Sequence, residues 1–251
     1  MRLSPFFKYF GSKFKAAKMY QPPRHDAIIE PFAGSAGYSL NYPEREVILY
    51  DADERVIRIW NYLIRANKDE IMAIPLMEVG QDIATVDTTE DARLLLSCLV
   101  NTSPFRNELQ SWRRGQEKEK TFNGLWCAAK RRQIAKNVKK IKHWSAYHSL
   151  YSEVTNINAT WFIDPPYVNF PGVYTVNKAN PIDFSHLGEW CRSRDGQVIV
   201  CEQEGANWLP FRYLGQASAT RNKSGKKCRE AVWTSEPDKQ LPLFGDPSCP
   251  A

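Results

Sequence analysis

The stretch Thr160-Trp161-Phe162-Ile163-Asp164-Pro165-Pro166-Tyr167 decides the fold. Its first four residues are β-formers and predict a short buried strand. The two prolines then stop it, because neither can donate to a ladder and each keeps its predecessor extended. The strand therefore delivers a carboxylate, a stiff carbonyl and an aromatic ring to its carboxyl end. In an open α/β sheet, ligands bind at that edge.

The flanking sequence repeats the pattern. Ala27-Ile28-Ile29 predicts a strand that runs into Glu30-Pro31-Phe32-Ala33-Gly34-Ser35-Ala36-Gly37, with a helix starting near Tyr38. Small residues after a strand allow a tight turn and close approach of a ligand. The spacing is not Gly-x-Gly-x-x-Gly, so the loop by itself implies only a small-molecule site. Val47 to Tyr50 predicts a second strand, ending at Asp51-Ala52-Asp53. A carboxylate there can bind two ribose hydroxyls, and Asp51 is the first out of the strand. Asp53 suits the cap of a helix over 54–66, with Val56, Ile57, Trp60, Leu63 and Ile64 as its core face. Ahead of all this, Lys8-Tyr9-Phe10-Gly11-Ser12-Lys13 precedes a helix-like stretch to Met19. Gly11 and Ser12 suit a loop facing an anion, Lys13 suits a carboxylate partner, and Tyr9 suits a flat group. After Tyr167 come a loop over 168–181, a helix over 184–194 and a buried strand over 198–201 ending at Glu202. A basic loop over 221–227 precedes a last strand, 230–234.

Between residues 68 and 145 the βα rhythm stops. Helices are expected over 90–100 and 124–143, with loops at Ser103-Pro104 and Arg113-Arg114-Gly115. The expected organisation is a discontinuous catalytic domain, 1–67 and 146–235, around a helical insertion, 68–145, with a tail at 236–251. The chain carries +6, yet residues 106–142 hold twelve Lys/Arg against three Asp/Glu. That segment is +9 and the remainder −3, which points to a polyanionic partner. Arg106, Arg113, Arg114, Lys130, Arg131 and Arg132 are the candidate contacts, with Trp112, Phe122, Trp126 and Trp144 interleaved. The other reading is a solvated helix face.

Composition excludes other classes. No apolar run approaches the ~20 residues of a membrane span, and Met1 to Pro5 shows no signal-peptide pattern. The six cysteines form no Cys-x-x-Cys pair and the four histidines do not cluster. A reduced, cytoplasmic protein without a metal site is expected.

Asp164 to Tyr167 read either as a strand followed by a polar turn or as a site for an exocyclic amine on a nucleobase. The lone pair of such an amine is delocalised into the ring, so it needs orienting. Asp164 can accept one N–H bond and the Pro165 carbonyl the other, aiming the nitrogen at an electrophile. Tyr167 can stack on the base, which must leave a duplex to reach such a pocket.

The motif order resembles the Dam-like (D12 class) DNA adenine-N6 methyltransferases across nearly the whole chain. That family runs Lys-Trp-x-Gly-Gly-Lys, Glu/Asp-Pro-Phe-x-Gly-x-Gly, an acidic residue on the second strand, a helical target-recognition insertion, then Asp-Pro-Pro-Tyr. Residues 8–13, 30–37, Asp51 and 164–167 match in that order. The resemblance implies a Rossmann-like, mostly parallel seven-stranded α/β fold and S-adenosylmethionine as donor, with S-adenosylhomocysteine as product and no metal. Tyr9 and Lys13 would hold the donor's methionine part. Glu30, Pro31, Phe32, Ala33, Gly34, Ser35 and Gly37 would line its site, and Asp51 would take its ribose. Asp164 would border donor and acceptor, and with Pro165, Pro166 and Tyr167 would form the catalytic motif for a flipped adenine. A bacterial or phage-encoded enzyme acting on DNA is implied. Tyr9 stands for the usual Trp, Ser12 for a Gly, and Ala36 where a Gly is common. The insertion shows no match to the GATC-reading segment, so no recognition sequence carries over. The competing readings are the same fold acting on cytosine N4 or an amide nitrogen, and a non-catalytic DNA-binding protein. The first motif residue being Asp leans towards adenine, and the basic segment argues against a protein acceptor.

Near the C-terminus, Gln240-Leu241-Pro242-Leu243-Phe244 follows the breaker Glu236-Pro237-Asp238. Its apolar residues either pack back onto the protein or form a docking peptide. The pattern looks like the Gln-Leu-x-Leu-Phe motif that binds the bacterial sliding clamp, with Gln240 as polar contact and Leu241, Leu243 and Phe244 as apolar ones.

Overall fold

The computed structural model describes residues 2–101, 104–107, 126–168, 181–217 and 228–235. Among them one sheet is built from β1 (Ala27–Glu30), β2 (Glu46–Asp51), β3 (Ser145–His148), β4 (Ala159–Ile163), β5 (Gly196–Gln203), β6 (Arg212–Ala217) and β7 (Cys228–Thr234). The helices are α1 (Glu54–Arg65), α2 (Lys68–Ala73), α3 (Glu90–Ser97), α4 (Ala128–Asn137) and α5 (Phe184–Arg192).

The strand order is β3-β2-β1-β4-β5-β7-β6. Strand β7 runs against both its neighbours, and the other pairings are parallel. The chain winds outward from β1 to β3, returns to β4 beside β1, and then winds the other way. This reversal opens a crevice between the carboxyl ends of β1 and β4, the switch point where doubly wound sheets bind ligands. Glu30 and Asp164 stand at those two ends.

Both faces of the sheet are covered, which is why its central strands read as continuous apolar runs. Ile28, Leu49, Phe162 and Ile199 pack on the side of α1, with Trp60. Ile29, Trp161, Ile163, Val198 and Val200 pack on α5, with Leu187 and Trp190. Asp53 caps α1 as expected, accepting from the Arg55 amide.

Several elements differ from expectation. The helix after Lys13 is a series of turns ending in a 3-10 turn, Ala17–Met19. The helix near Tyr38 is also a 3-10 turn, Ser39–Asn41, because Pro43 follows and β2 already begins at Glu46. The sequence pattern does not predict strands β3 and β6. Both lie on the sheet's edges, pair on one side only and lack a clear apolar alternation. β3 opens at Ser145, inside the stretch expected to be insertion.

The described part of residues 68–145 has no separate core. Helix α3 lies against α1, α4 against α2, and Leu95, Leu96, Trp126, Ile134 and Ile141 share one cluster with Trp60. Trp126 and Trp144 are buried, their indole N–H groups donating to the carbonyls of Pro75 (2.7 Å) and Pro43 (3.3 Å). They are core residues, although they are interleaved in sequence with the basic ones. Lys142 donates to the carbonyls of Ile64, Arg65 and Ala66 at 2.6–2.7 Å, closing the end of α1.

Lys130 and Arg131, expected as DNA contacts, direct donors to the chain's own carbonyls. Lys130 Nζ donates to the Pro5 carbonyl and, at 2.8 Å, to Gln133 Oε1. Burial, then the charge of Lys8, lowers its pKa to about 8. Arg131 donates to the Ile74 carbonyl at 2.9 Å. Arg106 and Arg132 are exposed, with Lys136 and Lys139 one and two turns beyond Arg132. Arg113, Arg114, Trp112, Phe122 and residues 240–244 lie outside the described residues.

Candidate active site

A cavity of about 270 Å³ fills the crevice. Its lining includes Tyr9, Lys13, residues 30–35, Gly37, Asp51, Tyr151, Asp164 and Pro166. The four sequence motifs thus converge on one space.

The loop after β1 fits tightly under the N-terminal segment. A Cβ on Gly34 would lie 2.9 Å from the Tyr9 ring, and one on Gly37 would lie 2.6 Å from the Phe14 nitrogen. The glycines therefore let residues 8–14 close over the loop. Ser35 donates to Ser12 at 2.9 Å, and the Trp60 indole donates to the Gly34 carbonyl at 2.9 Å. Ala36, where the family pattern favours glycine, has φ 49°, a left-handed conformation that disfavours side chains.

Asp51 ends β2 with its carboxylate facing this loop. One oxygen accepts from the Gly34 amide and the other from the Asp53 amide, both at 2.9 Å. Burial raises its pKa to about 6, partly opposed by those two amides. Each oxygen keeps a further lone pair for a hydroxyl. Phe32 and Tyr151 stack beside it, with ring centroids 5.5 Å apart and planes at 30°. Sequence reasoning misses Tyr151 because it follows β3, a strand without a clear pattern. Pro31 and Ala33 are buried in the loop.

Glu30 is a floor residue, 2% exposed. Its Oε1 accepts from the Ser39 amide at 2.9 Å and the Ser39 hydroxyl at 2.5 Å. Burial lifts its pKa to about 8 against the Ser39 bonds. The folded value exceeds the ordinary 4.5, so ionising Glu30 costs stability as pH rises through 5–8. Glu30→Gln, which keeps an acceptor for Ser39, should remove that cost. Its Tm advantage over the wild type should widen from pH 5 to 9 in thermal melts; a pH-independent difference would show that Glu30 titrates normally.

Asp164 lies just beyond β4, between Pro165 and Pro166, both buried, and the Lys13 ammonium. Lys13 Nζ is 2.9 Å from Asp164 Oδ1, 3.9 Å from Glu230 Oε2 and 3.1 Å from the Gly11 carbonyl. It also sits 4.6 Å from the Tyr167 ring centroid. In this structure the lysine's carboxylate partner is thus the chain's own Asp164. Burial raises the Asp164 pKa to about 6, with Lys13 opposing. For Lys13, burial favours the neutral amine, but Asp164 and then Glu230 outweigh it and raise its pKa. Tyr167 donates its hydroxyl to Glu230 at 2.6 Å. Beneath them, Glu202 is fully buried and accepts from the amides of Val168 and Gln203 and from the Trp208 indole. Nothing local in the sequence marks Glu230 as a partner of this motif.

The sheet order, the crevice and its strand-end carboxylates define a Rossmann-like methyltransferase fold. The family described as D12 class N6 adenine-specific DNA methyltransferase matches residues 9–90, a stretch that holds Tyr9, Lys13, the loop 30–37 and Asp51. Over these residues the chain is similar to that family of adenine-specific DNA methyltransferases. Comparison with curated proteins gave no match. Among solved structures it is similar to a conserved hypothetical protein of Streptococcus pyogenes. The two are 10% identical, with 82% of this chain and 84% of that one covered and a TM-score of 0.31. Among the described residues no three His, Cys, Asp or Glu side chains are placed to hold a metal, and no helix is long and apolar enough to cross a membrane.

Proposed function

We propose that this cavity binds S-adenosylmethionine and that the protein methylates N6 of an adenine flipped out of DNA. The observation that carries the reading is a single cavity lined by Asp51, Phe32 and Tyr151 on one side and Asp164 on the other. The residues present suit such a donor. The Asp51 carboxylate suits vicinal hydroxyls, Phe32 and Tyr151 suit a purine ring, and Tyr9 with Ser12 and Lys13 closes the remaining wall. Bound there, the donor would supply an activated methyl group and leave as S-adenosylhomocysteine.

The chain's own residues do the rest. Asp164, ionised above pH 6 or so, accepts one N–H bond of the adenine amine, and the Pro165 carbonyl accepts the other. This aims the nitrogen lone pair into the cavity. Asp164 then receives the proton that the amine releases and passes it to solvent. The two prolines keep carbonyl and carboxylate in fixed relation, and Tyr167 stacks on the base. Incubating unmethylated DNA with methyl-labelled donor should place label in N6-methyladenine. Label in N4-methylcytosine or in protein, or no transfer, would overturn the reading.

DNA affinity is assigned to residues 68–145, acting as a target-recognition unit, with Arg106, Arg113, Arg114 and Arg132 as phosphate or base contacts. Replacing Arg106 and Arg132 by Ala should flatten the log–log salt dependence of binding by about 0.9 for each phosphate no longer neutralised. Lys130→Ala should lower Tm and leave that slope unchanged. An unchanged slope in the arginine variant would restore the solvated-face reading.

Residues 240–244 are proposed as a docking peptide for the bacterial sliding clamp, which would bring the enzyme to newly made DNA. The support is the Gln-Leu-Pro-Leu-Phe pattern alone. The clamp should bind the intact protein and not a Leu243→Ala/Phe244→Ala variant; equal binding to both would leave self-packing.

A further inference from the structure

We propose that Glu230 is a positioning residue for methyl transfer: from β7 it fixes the Tyr167 hydroxyl and faces the Lys13 ammonium, setting both groups that frame Asp164. The inference rests on the roles proposed above for Asp164 and Tyr167.

Glu230 is 5% exposed, on a strand whose next residue on the same face is the buried Val232. An apolar side chain would fill such a position at no electrostatic cost, whereas a buried carboxylate must be matched by donors. Its donors come from separate parts of the chain. Oε2 accepts from the Tyr167 hydroxyl at 2.6 Å and the Tyr20 hydroxyl at 3.1 Å, and lies 3.9 Å from Lys13 Nζ. Two of these three belong to the site. Glu202, the other buried acid nearby, is occupied by Val168, Gln203 and Trp208 and does not replace it.

Glu230 acts through its neighbours. Lys13 lies between two carboxylates, nearer to Asp164 at 2.9 Å. Without the second carboxylate, the ammonium would be drawn wholly onto Asp164, competing with the acceptor amine for its oxygens. The Tyr167 hydroxyl would lose its acceptor, so a buried donor would be left unsatisfied and the ring would lose the bond that fixes it. Asp51, Phe32 and Tyr151 would be untouched. The loss should therefore appear in turnover and not in donor binding.

The test uses the whole chain with saturating DNA and donor, and calorimetry with donor alone. Glu230→Ala should lower kcat by about ten- to a hundredfold, with donor Kd within about twofold of wild type. Glu230→Gln, which still accepts from both tyrosines but carries no charge, should recover part of the loss. Tyr167→Phe breaks the same bond from the other side and serves even if Glu230→Ala fails to fold. Combined with Glu230→Gln or Glu230→Ala, it should give a loss smaller than the product of the single losses. A kcat within twofold of wild type would overturn the inference. So would independent losses, or kcat, donor affinity and Tm falling together with Gln no better than Ala. Asp164→Ala is the control. If it is inactive while Glu230→Ala is fully active, only this inference fails; if Asp164→Ala is active, the reading beneath it fails.

Discussion

Asp164→Ala should lower turnover by roughly 10²–10⁴-fold, the range for removing a proton-accepting side chain, and leave donor affinity within a few-fold. The reason is spatial. Asp164 stands at the end of β4, whereas Asp51, Phe32 and Tyr151 line the β2–β3 side of the cavity. The acceptor amine would lose its charged partner while the donor kept its contacts. Asp164→Asn should be milder, since its amide oxygen still accepts one bond but takes up no proton. Single-turnover rates with saturating DNA, beside calorimetry of the donor, separate the two effects. Near wild-type turnover in the Ala variant would remove Asp164 from the reaction, and a matching fall in donor affinity would move it to the donor site.

Lys13→Met should be the most destabilising change in the site. It leaves Asp164 and Glu230 without the ammonium that lies 2.9 and 3.9 Å from them. Breaking a buried pair from one side costs about 3–5 kcal/mol. The pH dependence fixes the sign. Lys13 opposes the burial that raises the Asp164 pKa to about 6, so without it that value rises further. Turnover that needs the ionised carboxylate should then fall away at a higher pH than in the wild type. Folding should follow, because an acid whose folded pKa exceeds its ordinary 3.8 weakens the native state as pH rises through that interval. The variant's deficit in Tm should therefore grow between pH 5 and 8. Lys13 itself, with its pKa raised, contributes fully across that range and loses its contribution only under strongly alkaline conditions. An acidic limb of the kcat profile at the same pH in both proteins would show that the pair does not govern Asp164.

Strand, turn and carboxylate at 160–167 are legible in the chain because they are local features. Aromatic and β-branched residues favour the extended chain, and two prolines end it within one residue. The same holds for Asp51 at the end of β2 and for Asp53 capping α1, where side chain and backbone partner lie two residues apart. Periodicity and turn chemistry act over a few residues, so the strand ends and the acids on them follow from residue order alone. Charge counts, by contrast, do not tell direction. Lys130, Arg131 and Lys142 contribute to the +9 of their segment, yet they spend their donors on carbonyls of residues 57 to 125 positions away. The edge strands β3 and β6 carry weak patterns because each is half-paired, and Tyr151 is hidden with the first of them. Folding alone joins Lys13 to Asp164, and Tyr167 to Glu230 across 63 residues. These contacts arise where the sheet reverses its winding and brings the ends of β1, β4 and β7 to one crevice, and no local preference of the chain encodes that meeting.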